Sequence, residues 1–162
     1  MINLSKIDIQ KYKTFLKGQY LIPSRQILHE NIDNNFKIFE NYGFKNLLDL
    51  KQAISTGAKI DTLSKETKIS SEYLNILRRE LGTFDKTGTD IERINGIGAQ
   101  AARAFEEAGY KNIKDIANST KEELLEKVTK INEGQKYYKA KLGLKDMQFV
   151  IDFAKMVIEF EN

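Results

Sequence analysis

Residues 39–50 read FENYGFKNLLDL, and residues 105–116 read FEEAGYKNIKDI. The two stretches lie 66 residues apart and match in role at almost every position. Phe39 pairs with Phe105, Gly43 with Gly109, Phe44 with Tyr110, Asn46 with Asn112 and Asp49 with Asp115. In each, a helix is expected to end at the glycine in a left-handed turn. The aromatic residue that follows packs back on the core. The asparagine then caps a new helix, with the aspartate three residues on as its capping-box partner. So many matched roles at one offset argue for an internal duplication and for a helical fold.

Working outward, the rest of the chain reads as helix. Residues 5–18 carry a helix capped by Ser5, with Asp8 at its third position and Gly18 just beyond its end. Residues 22–43 read as one helix that Ser24 can cap, with Ile27, Leu28, Ile32, Phe36 and Phe39 as its core stripe. Residues 60–81 should form two helices broken near Ile69, with Ser70 or Ser71 capping the second. Ser119 or Thr120 opens another helix, and a less regular lysine-rich stretch follows at 130–143. The final helix places Met147, Val150, Ile151, Ala154, Val157 and Ile158 on one side. With one proline, and no alternating run of useful length, the expected class is all-α. The expected organisation is an N-terminal helix (1–19), a first helical unit (20–83), a linker (84–90) and a second unit (91–162). The two related units are expected to pack into one compact body.

Composition narrows the function. The chain has 162 residues, 41% apolar and 30% charged, the profile of a globular protein. It lacks cysteine, which excludes disulfides, thiolate metal sites and cysteine nucleophiles. No apolar run suits a signal peptide or a membrane span, so the expected compartment is the cytoplasm. The one histidine, His29, sits in a helix stripe with no evident metal-binding company. No catalytic constellation or Walker loop is visible, and an enzyme is not expected. No cofactor and no metal are expected. Net charge is +3, and residues 87–117 alone carry −1.

One motif precedes the second copy only. Residues 94–98 read INGIG, where the first copy has LHENI at 28–32. A short helix, a glycine-bounded turn and a helix starting at Ala99 make a helical hairpin. Two readings follow. INGIG is a tight connection between packed helices, or it also holds a nucleic-acid backbone. For the second, Gly96 and Gly98 let the backbone approach a partner, and the amides from Gly98 to Gln100 are the orphan donors of a helix N-terminus. Arg93 and Arg103 would add charge. The candidate site is thus Arg93, Asn95, Gly96, Ile97, Gly98, Ala99, Gln100 and Arg103. Such contacts position a protein on phosphates without reading sequence. A secondary basic patch, Lys136, Lys139 and Lys141, flanks Tyr137 and Tyr138 and reads either as a solvated face or as an extension of the footprint. Residues 63–80 fit either a helix-turn-helix presenting Ser71, Asn75, Arg78 and Arg79, with Glu72 and Glu80 opposing phosphate, or two packed helices.

The hairpin INGIGAQAARAF with its AGYKNIKDIA tail resembles helix-hairpin-helix domains. Together with LIPSRQILHENIDNNFKIFENYGFKNLLDL, SSEYLNILRRE and INEGQKYYKAKLGLKDMQFVIDFAK, it resembles a bacterial family of duplicated helix-hairpin-helix repeat proteins, carried as a domain of unknown function. The resemblance spans roughly residues 20–158. It implies two helix-hairpin-helix-like, SAM-domain-like units. DNA binding is inferred for that family from the hairpin alone. In DNA-binding helix-hairpin-helix domains a basic residue is frequent where this chain has Gln100. The expected partner is a DNA or RNA backbone, the alternative another protein; the oligomeric state is left open.

Overall fold

The computed structural model describes residues 2–86 and 88–161; Met1, Thr87 of the expected linker and Asn162 lie outside the described residues. The architecture is all-α. The chain divides into two units, one ending at Gly82 and one running from Thr83 to Glu161.

The first unit holds α1 (Ile9–Gly18), α2 (Ile32–Tyr42), α3 (Leu47–Ala53), α4 (Gly57–Thr67) and α5 (Ser71–Gly82). The start differs from expectation. Leu4–Lys6 form a separate 3-10 turn capped by Asn3 rather than Ser5. Asp8 is the cap of α1, accepting from the amides of Gln10 and Lys11. Gly18 lies inside the helix, not after it. The long helix expected over 22–43 is also split. Pro23–His29 form a 3-10 helix that Ser24 does not cap. Asn31 then takes a left-handed conformation (φ 50°) and α2 begins. Asparagine tolerates that region better than most residues, so a break forms where no glycine signals one. Most of the core stripe survives the split: Leu28, Ile32, Phe36 and Phe39 are buried, while Ile27 is half-buried. Phe36 and Phe39 meet edge to face with centroids 5.2 Å apart.

The second unit holds α6 (Ala99–Glu107), α7 (Ile113–Ala117), α8 (Lys121–Gln135) and α9 (Leu144–Phe160), and a 3-10 helix (Ile91–Arg93) precedes α6. The long apolar helix α9 packs against both α7 and α8, and α6 packs against α8. Its buried face is wider than a single stripe, because Phe153, Met156 and Phe160 join the expected residues. Ile158, expected on that face, is exposed. Phe84, half-buried, stacks on Phe153 at 6.0 Å, so this part of the expected linker packs on the second unit. α8 continues to Gln135, well into the stretch expected to be irregular.

The duplicated stretch folds the same way twice. Gly43 and Gly109 both have positive φ, 110° and 105°. The amides of Phe44 and Tyr110 return to the carbonyls of Phe39 and Phe105, at 3.1 and 3.0 Å. Asn46 and Asn112 cap α3 and α7 through the amides of Asp49 and Asp115. Those carboxylates in turn accept from the amides of Lys45 and Lys111, each at 2.9 Å. The first helical amide after each cap is satisfied differently. Leu47 donates to the Ile7 carbonyl at 2.9 Å, and Ile113 donates to Asp90 Oδ2 at 2.6 Å.

Candidate nucleic-acid interface

The hairpin forms from local causes. Ile94 and Ile97 are buried and anchor both ends of the turn. Between them Gly96 sits at φ 91°, a conformation L side chains rarely adopt. The Ile97 amide closes the turn on the Ile94 carbonyl at 3.1 Å. α6 then begins from Gly98 as its N-cap. Ala102, Ala104 and Phe105 bury the inner face of α6 and fix its direction.

The two glycines differ in what they do. Gly96 is required by its backbone. Gly98 has φ −86° and ψ 179°, ordinary for an N-cap and open to any residue. A Cβ built there meets nothing within 4 Å. Neither backbone nor packing asks for glycine at 98. Its effect is to leave the start of α6 uncovered. No side chain caps the helix, and no acidic residue stands in its first turn. The first bond to the N-cap carbonyl comes from the Ala102 amide at 2.9 Å, so the amides before it point outward. Ala99 and Gln100 are exposed.

The first copy supplies the contrast. At the start of α2 the cap is Asn31, and Asp33 stands in the first turn. Lys13 and Lys17 lie 3.3 and 2.8 Å from the Asp33 carboxylate and hold its pKa below the usual range. That helix start carries its own anion. The α6 start carries none.

The two candidate arginines part company. Arg93 is half-buried, 3.1 Å from Asp90 and 2.6 Å from Glu161. Its charge is matched by two carboxylates, which makes it a brace within the second unit. Arg103 is exposed on α6. Its guanidinium lies over the Tyr137 ring, 6.0 Å from the centroid. The Tyr137 hydroxyl donates to Glu107, one turn further along α6. The Glu107 carboxylate beside it raises the Tyr137 pKa.

Tyr137 therefore seats the lysine-rich segment along α6. Lys136, in a left-handed conformation (φ 52°), ends α8. Asn132 pins the turn, donating to the Tyr138 carbonyl and accepting from its amide, both at 3.0 Å. Lys136, Lys139 and Lys141 are exposed. The secondary patch and the hairpin helix thus join through the contact between Arg103 and Tyr137. Glu106 and Glu107 lie at the other end of α6, away from the uncovered amides.

Elsewhere the residues do bland work. His29 Nε2 meets the Leu16 carbonyl at 2.7 Å. Ser70 Oγ accepts from the Tyr73 amide and so opens α5, after Lys68 turns the chain in a left-handed conformation (φ 68°). Ser71, Asn75, Arg78 and Arg79 are exposed along α5. Glu80, expected to oppose phosphate, is buried and lies 3.4 Å from Arg25 Nε. Burial raises its pKa, and the Arg25 charge opposes the rise.

Residues 89–135 match the SAM-like helix-hairpin-helix tandem family. The match covers the turn, α6, α7 and α8. No curated protein and no solved structure matches the chain. No helix among the described residues is long and apolar enough to cross a membrane.

Proposed function

We propose that this protein binds nucleic acid, DNA in the first instance, through its sugar-phosphate backbone, without reading sequence and without catalysis. The setting is the cytoplasm. The observation that carries the reading is Gly98: a glycine that neither conformation nor packing requires, at the N-cap position where a capping side chain would occupy the free amides of α6. Backbone amides and the helix dipole favour an anion there. The helix-hairpin-helix match over the same residues supports the assignment, since that class is generally associated with nucleic-acid binding. In this reading the Gly98, Ala99 and Gln100 amides hold a phosphate, Arg103 supplies charge, and Lys136, Lys139 and Lys141 lengthen the footprint. Ile97 contributes its backbone only, because its side chain is core.

Fluorescence anisotropy with labelled single- and double-stranded DNA across a salt series tests this. Binding should weaken linearly in log–log form as salt rises, with a slope set by the number of phosphates neutralised. Absence of binding even at low salt would end the reading. A protein partner would then come forward, supported by the open apolar cleft beside Tyr42, Phe44 and Leu63 in the first unit.

A further inference from the structure

Lys86 lies eight residues before the hairpin, and its side chain turns back into it. Its Nζ donates to the Ile94 carbonyl and to the Ile97 carbonyl, both at 3.1 Å. These are the first and fourth residues of INGIG. A trans peptide points its C=O and its N–H in opposite directions. The Ile97 carbonyl shares a peptide plane with the Gly98 amide, and the Ile94 carbonyl with the Asn95 amide. Holding the Ile97 carbonyl on Lys86 therefore turns the Gly98 N–H the other way.

From this geometry we infer that Lys86 is the positioning residue of the hairpin: its ammonium locks the Ile94 and Ile97 carbonyls and so aims the Gly98 amide at a bound phosphate. The phosphate rests on the function proposed above; the locking does not. Without the ammonium, the Ile97 carbonyl would lose this donor at a half-buried point, while the Ile94 carbonyl would keep the Ile97 amide. The Ile97–Gly98 peptide could then turn over, presenting an acceptor where the phosphate needs a donor. Burial lowers the Lys86 pKa and the Glu92 carboxylate opposes the change. Lys86 would touch no ligand itself. Its charge behind the turn would still favour an anion in front of it.

Solution NMR on the whole chain tests the inference, with anisotropy alongside. In the wild type, Lys86 Nζ should show through-hydrogen-bond correlations to the carbonyl carbons of Ile94 and Ile97. Lys86→Met keeps the aliphatic stem and removes the donors. It should shift the Ile97 carbonyl and Gly98 amide resonances and weaken DNA binding roughly tenfold, the scale of one misaimed charged hydrogen bond. Missing wild-type correlations overturn the inference, and they decide it even if the variant fails to fold. Unmoved Ile97 and Gly98 resonances in a folded variant overturn it too. If the resonances move but neither protein binds DNA, the nucleic-acid reading falls and the locking of the hairpin stands.

Discussion

Replacing Gly98 by aspartate should make the protein more stable and less able to bind. The backbone at 98 already has N-cap geometry, and a new Cβ meets nothing within 4 Å. An aspartate there can accept from the orphan amides of the first turn, a few tenths of a kcal/mol better than glycine. A negative charge at that end of the helix dipole adds about 0.3–1 kcal/mol. Losing a glycine from the unfolded chain adds about 0.4–1 kcal/mol. Together Gly98→Asp should gain about 1–2 kcal/mol, each kcal/mol raising the melting temperature of a unit this size by roughly 4–8 °C. The same carboxylate occupies the donors that a phosphate needs. Losing charged hydrogen bonds worth about 1.5–3 kcal/mol weakens binding by a factor of roughly ten to a hundred. Calorimetry or thermal circular dichroism reads the first effect, and anisotropy at fixed salt reads the second. A stabilised variant with unchanged affinity would refute the role of the α6 amides. A destabilised variant would refute the claim that the cap is vacant.

Three further outcomes are expected. Gly96→Ala places a side chain at φ 91° and should cost about 1–2 kcal/mol in urea unfolding, so a neutral result would contradict the turn geometry. Arg103→Ala should lower the salt slope of DNA binding by about 1 and leave melting nearly unchanged, whereas Arg93→Ala, which removes an ion pair from Asp90 and another from Glu161, should lower melting and leave the slope alone. Glu80 has a folded pKa above the usual carboxylate value, so its contribution to stability is fully present below its unfolded value and is lost as pH rises through the folded one. As pH falls from neutrality toward the ordinary glutamate value, the stability difference between wild type and Glu80→Gln should therefore move in favour of wild type, and a flat difference would remove burial as the cause.

What the sequence disclosed, and what it hid, divides by distance along the chain. The caps at Asn46, Asn112 and Thr120 are read from residues three apart, because the bonds that make them span three residues. The turns at Gly43 and Gly109 are equally local. The break at Asn31 escaped notice because its neighbours kept an apolar rhythm and only the residue's tolerance of positive φ allowed it. Asp8 caps α1 where the sequence pointed to Ser5, because the pairing of Ile7 and Ile9 with Lys45–Leu47 holds the chain extended up to that point. At the site, the exposed amides of α6 follow from INGIG itself. The fate of Arg93 does not, since its second carboxylate partner is 68 residues away. Lys86 was likewise hidden: a lysine in a presumed linker gives no periodic signal, and its acceptors are backbone atoms with no sequence signature.

The paired amides of Leu47 and Ile113 give the two copies unequal mutational robustness. In the first, the acceptor is the main-chain carbonyl of Ile7, an atom that every amino acid provides. In the second, it is the side chain of Asp90, which also carries Arg93. One nucleotide change at codon 90 can remove both bonds, while none at codon 7 can delete the carbonyl. A saturation scan scored for folding should find position 90 restricted by its chemistry and position 7 by size and apolar character alone. The two stretches would then tolerate substitution unequally, the one held by backbone keeping the wider choice of sequence.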